Sequence, residues 1–238
     1  MKKRIRINGV ITVIALLLVA IFPSLFFRRH AQPFPDGVME IFGIALILLG
    51  QIFRVSARGY KAEHSQNGHS LIRGGPYKLA RNPMYLGILL IGLGVVLLLF
   101  EWWTISIFLV FFIIRYVLLI FKEEKQLLIL FPKEYRDYCA QVPRILPSLN
   151  TLFNKDISEY FPLKLSWLKR EIGPIFTVLF IALFLESWED IKAEGIRAYI
   201  DEVMFTGATI ILFIGLVAYL SKRTLTLERN AADKSKSN

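Results

Sequence analysis

The sequence predicts an all-α, polytopic membrane protein with about six transmembrane helices and both termini cytoplasmic. Three observations predict it. Hydrophobic residues make up 55% of the 238 positions and mean hydropathy is +0.50, whereas soluble domains stay nearer about 45–50% apolar. The apolar residues gather in blocks close to the ~20 residues that a helix needs to cross ~30 Å of hydrocarbon, and in lipid such a segment satisfies its own backbone only as a helix. Lysine and arginine, 29 against 19 acids for a formal charge of +10, are distributed unevenly between the polar segments that separate the blocks.

In chain order the blocks are 10–27, 38–53, 84–100, 103–121, 172–188 and 203–220. The first follows Met1-Lys-Lys-Arg-Ile-Arg, which looks like the start of a signal peptide. No small-x-small cleavage site follows, and the run continues through Phe26 and Phe27, so an uncleaved anchor is expected. The second begins near Glu40, placed at the interface. The third starts just after Asn82-Pro83. Only Glu101, Trp102 and Trp103 separate it from the fourth, which predicts a tight helical hairpin with an aromatic interfacial belt. The fifth is the weakest, its purely apolar core ending at Leu185. After the sixth, the small polar tail 231–238 is expected to be disordered.

Charge sets the orientation. The N-terminal tail carries four basic residues and no acid, segment 54–83 six and one acid (Glu63), segment 122–171 nine, and the C-terminal tail five. Segment 186–202 has two, Lys192 and Arg197, against six acids. The positive-inside rule puts the termini and both long polar segments in the cytoplasm, with Arg28 and Arg29 as the exception. The basic excess then belongs to cytoplasmic loops and anionic headgroups. Membrane lipids are the expected partners and nucleic acid is not. The lone cysteine, Cys139, excludes an intrachain disulfide. No internal repeat suggests an inverted-repeat transporter. No His/Cys/Asp spacing suggests a metal, no triad partners occur, and no βαβ pattern or Gly-rich phosphate loop is present.

Topology brings two polar clusters to one membrane face. In "GPYKLARNPMYLG" (75–87), Asn82 is a favoured N-cap and Pro83 a favoured first helical residue. Free N–H groups there, with Arg81 beside them, could take a carboxylate. Equally, Arg81 could snorkel and Tyr85 could be an interface aromatic. One hairpin away lie Lys122-Glu123-Glu124. Adjacent carboxylates at a membrane surface repel each other and invite a cationic ligand, although a solvated helix end has the same pattern. Glu123 and Glu124 differ by ~100° around a helix, so one of them is expected to face the interior. Arg115, roughly two turns before Glu123, is an intramembrane charge and hence a candidate substrate contact, or equally a side chain that reaches the interface. His69 is a lone histidine before the Gly74-Gly75-Pro76 turn.

Together, "GHSLIRGGPYKLARNPMYLGILLIGLG" and "EEKQLLILFPKEYRDYCAQVPRILP" resemble the integral-membrane methyltransferases, the group of isoprenylcysteine carboxyl methyltransferases and phospholipid N-methyltransferases. The resemblance spans about 50–147. It implies S-adenosyl-L-methionine as cofactor in a cytoplasmic-face pocket. By position it carries over His69, Ser70, Leu71, Ile72, Tyr77, Asn82, Pro83, Met84, Tyr85 and Glu123 as cofactor residues, with Arg81 and Glu124 as catalytic candidates. A carboxylate acceptor needs no general base; an ammonium must first lose a proton, for which Glu124 is the nearest candidate. The implied acceptor is a lipid or lipid-modified molecule, methylated on oxygen or nitrogen.

Three departures shape that expectation. The prenylcysteine enzymes have His where this chain has Asn82, and "NPMY" is nearer the phospholipid N-methyltransferases. The substrate-contacting Arg of the eukaryotic prenylcysteine enzymes falls at Leu119. Blocks five and six lie beyond the usual end at "VPRILP". The expected organisation is therefore an anchor over 1–49, a methyltransferase core over 50–150 and an extension over 151–238. Two other readings compete: an NADPH-dependent sterol-type reductase, which shares an Arg-His-Pro-x-Tyr and Tyr-Cys-x-x-Val-Pro pattern but has Asn where this chain has Met84, and a non-catalytic scaffold or transporter.

Overall fold

The computed structural model describes residues 25, 27, 36–65, 70–147, 160–169, 171, 173 and 196–236. Most of the first and fifth expected spans lies outside the described residues, as does His69. The described chain is helical. Its elements are α1 (Asp36–His64), a 3-10 turn (Gly75–Lys78), α2 (Pro83–Leu99), α3 (Thr104–Phe112), a π-turn (Ile113–Val117), α4 (Leu118–Leu130), α5 (Pro132–Gln141) and α6 (Ile196–Lys236). Among the described residues β-pairing is confined to one isolated antiparallel bridge, Phe27 with Phe100, whose rings stack at 5.2 Å.

Two described helices, Val38–His64 and Thr104–Leu130, are long and apolar enough to cross a membrane, and α2 is a shorter apolar helix of 17 residues. The second of these runs unbroken through α3, the π-turn and α4, and leaves Phe111, Ile114, Leu118 and Phe121 exposed. α1 continues well past the expected apolar end at residue 53, crossing the expected boundary between 49 and 50.

The principal helix pair is α1 with α2, where the sequence had drawn attention to α2 with α3. α2 packs far more extensively on α1. The reason is two glycine pairs, Gly43 opposite Gly94 and Gly50 opposite Gly87, which let antiparallel backbones touch. A Cβ on Gly50 would come 2.6 Å from the Gly87 carbonyl, and one on Gly87 2.7 Å from that of Gly50. In lipid, where burying apolar surface against a neighbour gains little over lipid tails, such close van der Waals contact is a main source of helix association. α2 meets α3 through a narrower contact, with Gly92 under the Phe108 ring.

The C-terminal extension docks on α1. Tyr160, Phe161, Leu163 and Trp167 are buried there, and the Phe161 ring meets Phe53 edge-on at 4.7 Å. Thr224 of α6 ties in by accepting from the Leu163 N–H at 3.0 Å. The tail corrects one expectation: residues 231–236 continue the α6 helix. Alanine and lysine there are strong helix formers, and propagation from an existing helix needs no new nucleus.

Candidate functional site

The site is built where α1, the 70–82 segment, the start of α2, the middle of α4 and the 143–144 segment meet. Gly75 has φ +55°, and a Cβ there would lie 2.9 Å from the Tyr60 ring, so this turn requires glycine on two counts. Pro76 then starts the 3-10 turn, which swings Tyr77 inward. The Tyr77 hydroxyl donates to the Ala57 carbonyl of α1 at 3.4 Å, and its own carbonyl accepts from the Tyr138 hydroxyl at 2.6 Å. Burial raises the phenol pKa of Tyr77, and the nearby Glu123 charge raises it further. Ser70 donates to the His64 carbonyl at 2.7 Å, and Leu71 and Ile72 are half-buried behind it.

The next residues form a clasp. The Arg81 N–H donates to the Pro143 carbonyl (2.8 Å) and the Asn82 N–H to the Arg144 carbonyl (3.1 Å), so the approach to α2 is stitched to the "VPR" segment. Pro83 opens α2, and Met84 follows half-buried. Asn82 occupies the N-cap position as expected, but its side chain does not cap. The Tyr85 and Leu86 N–H groups already donate to its carbonyl (3.1 and 3.2 Å). Its amide instead donates to the Arg144 carbonyl (3.1 Å) and, at 3.4 Å, to Glu124.

Glu124 is the centre of the clasp. Its Oε1 lies 3.5 Å from Arg81 Nη1, and Arg144 grips both oxygens: Nε at 3.2 and 3.1 Å, Nη2 to Oε2 at 3.0 Å. Arg81 also donates to Cys139 Sγ, and Arg144 lies 4.5 Å over the Phe121 ring. With two guanidiniums and an amide on its two oxygens, this buried carboxylate ties the start of α2 to the 143–144 segment.

Glu123 faces a different neighbourhood. Its Oε1 accepts from the Tyr85 hydroxyl at 2.7 Å. The Tyr85 ring lies 5.5 Å from Tyr116, which in turn packs 4.5 Å from Phe112. A half-buried carboxylate beside Tyr85 and near Tyr77 suits a cation, since it offers both charge and aromatic faces. The ~100° between neighbours sends Glu123 toward the tyrosines and Glu124, the more buried of the two, toward the arginines. Arg115 does not join either group. It is exposed on the π-turn with its guanidinium 6.0 Å from the Tyr116 ring, because the wider π-turn shifts the angular register between positions 115 and 123.

Sequence reasoning passed over Arg144, Tyr138 and Tyr60. A signal existed for Arg144: a carboxylate between apolar helices needs more than one donor, and "VPR" carries a cation within the resembling segment.

Residues 38–134 match the family of phospholipid methyltransferases. The match contains Tyr77, the Asn82–Tyr85 stretch and both glutamates, and it stops short of Arg144 and the C-terminal extension. Over those residues the chain is similar to that family. No match to the chain was found among curated proteins or among solved structures.

Proposed function

We propose that the protein is an S-adenosyl-L-methionine-dependent membrane methyltransferase acting on a lipid or lipid-modified acceptor at the cytoplasmic face. The observation that carries this reading is the 2.7 Å hydrogen bond from Tyr85 to Glu123. It unites the "NPMY" and "EE" motifs of the matching segment in one carboxylate-and-tyrosine pocket. In this reading the chain has six spans with both termini cytoplasmic, an anchor before the core and an extension after it.

When bound, S-adenosylmethionine supplies an electrophilic methyl on a sulfonium, with an ammonium, a carboxylate and ribose hydroxyls for recognition. The residues present fit such a group. Glu123 answers an ammonium or hydroxyl, and Tyr77, Tyr85 and Tyr116 offer faces to positive charge. Arg81 Nε is buried with no hydrogen-bond partner among the described residues, which leaves one donor for a carboxylate. Ser70, Leu71 and Ile72 line the loop against which an adenine can pack; His69 adjoins them. Arg115, exposed on the membrane flank, is assigned to the acceptor side.

Methyl transfer is an in-line displacement, so the chain's main task is to hold nucleophile and methyl aligned and exclude water. A carboxylate acceptor requires no base. For an amine, Glu123 is better suited than Glu124 to receive the proton, because the Glu124 oxygens are engaged by Arg81, Arg144 and Asn82.

The test is retention of radiolabelled S-adenosylmethionine against NADPH on detergent-purified protein, followed by labelled-methyl transfer in membranes. The expected result is donor retention and label in the lipid fraction or in protein; base-labile label marks an ester and stable headgroup label an amine. Retention of NADPH alone overturns the proposal.

A further inference from the structure

The cytoplasmic part of α1 carries two neighbouring stripes that do different work. Ala57, Tyr60 and His64 (i, i+3, i+7) hold the candidate loop: the Ala57 carbonyl accepts from Tyr77, the Tyr60 ring seats Gly75, and the His64 carbonyl accepts from Ser70. One residue back, Ser56, Gly59 and Glu63 have the same spacing, rotated by ~100°. This second stripe holds the C-terminal extension. Ser56 donates to the Pro162 carbonyl at 2.8 Å, Gly59 lies directly under the Trp167 ring, and Glu63 accepts from the Trp167 indole N–H and from Lys164, both at 2.7 Å. Just beyond, Arg58 pairs with buried Glu171 at 2.6 Å. Trp167 is 4% exposed, so this is a packed joint rather than a surface contact.

We propose that segment 160–171 is a positioning brace for the 70–80 loop, acting through α1 without touching the loop's own ligand-facing groups. The two stripes share one helical rod, so the brace fixes the angle at which Ala57, Tyr60 and His64 meet the loop. Because the segment lies outside residues 38–134, the brace is a device added to the methyltransferase segment. Trp167 and Glu63 are its positioning residues. Its consequence for donor affinity rests on the proposed function; its consequence for loop order does not.

The test uses the full chain in detergent with three variants. Gly59→Ala adds one methyl under the Trp167 ring while leaving every loop contact in place. Trp167→Phe keeps a ring but loses the indole N–H, and Glu63→Gln keeps an acceptor but loses the charge. Leu165→Ala, on the exposed side of the same segment, is the control. The primary readout is hydrogen exchange of the Tyr77, Leu79 and Ala80 amides, with α2 amides as internal reference. Exchange in the loop should rise about tenfold for Gly59→Ala and less for the two milder variants, the reference amides being unchanged. Donor KM should rise several-fold, with kcat retained at saturating donor. Should Gly59→Ala fail to fold, Trp167→Phe and Glu63→Gln carry the test. Loop exchange equal to that of the unmodified chain in the folded variants overturns the brace, whether or not donor binds. Absence of donor binding in the unmodified chain overturns the proposed function instead, and loop exchange still decides the brace.

Discussion

Glu123 and Glu124 are consecutive, on one turn of α4, yet their surroundings have opposite character. Glu124 is buried against two guanidiniums and an amide, and its contacts reach the start of α2 and the 143–144 segment at once. Glu123 accepts a hydrogen bond from Tyr85 and lies near Tyr77. The difference teaches that neighbouring carboxylates are sorted by helical angle: one ties separate segments together, and the other, in the proposed function, is left to meet the donor. Stability and chemistry should therefore separate when the two are changed individually.

The largest expected effect is on Glu124. Glu124→Gln leaves Arg81, whose side chain is 12% exposed, buried without its counter-charge. Breaking a buried pair costs about 3–5 kcal/mol, and the half-exposed Arg144 should bring this toward about 3 kcal/mol. Thermal unfolding in detergent should register it together with loss of donor binding. A neutral result on stability would break the division of labour from the structural side.

Glu123→Gln should do the reverse. Stability should stay within about 0.5 kcal/mol, as for a change that creates no buried unpaired charge. Donor binding and methyl transfer should fall by about a hundredfold, the scale of losing a charge-assisted contact. Steady-state kinetics on membranes, normalised to folded protein, makes the check. Activity equal to that of the unmodified chain would break the comparison from the chemical side. Tyr85→Phe should be smaller again, since only its hydroxyl is lost: about tenfold in donor KM, with little change in kcat.

Much of this was legible in the sequence, because hydropathy is a local property. Blocks 38–53, 84–100, 103–121 and 203–220 all fall on helices, α2 matching to within a residue at each end, while α1, the α3–α4 run and α6 extend well beyond their apolar blocks. The co-location of "NPMY" and "EE" followed from placing both at the same end of one hairpin. What was not legible depends on angle and on distant partners. The π-turn, which takes Arg115 off the expected face, leaves no mark in composition. The Gly43/Gly94 and Gly50/Gly87 pairing becomes visible only once α1 and α2 are known to be antiparallel neighbours. The Asn82 side chain misled because a good N-cap residue is also a good donor to a buried carboxylate, and the second partner was 42 residues away.

The finest test uses tyrosines as reporters of each glutamate. Tyr77 has its pKa raised first by burial and then by the Glu123 charge; Tyr135 is raised first by burial and then, among its neighbours, chiefly by Glu124. In each case the folded value lies above the unfolded value of ~10. The associated stability is therefore fully present below pH ~10 and is lost as pH rises beyond it, when unfolding releases the phenol to ionise. Removing the Glu123 charge takes away one of the two causes acting on Tyr77. Phenolate absorbance of Glu123→Gln should accordingly show Tyr77 ionising at lower pH than in the unmodified chain, with the Tyr77→Phe background identifying the signal. The Tyr135 signal should stay where it was. Glu124→Gln should move Tyr135 and leave Tyr77 in place, provided the measurement is made on the folded fraction. Crossed responses, in which either glutamate shifts both tyrosines alike, would mean that the two carboxylates share one electrostatic environment, and the angular division of labour would not hold.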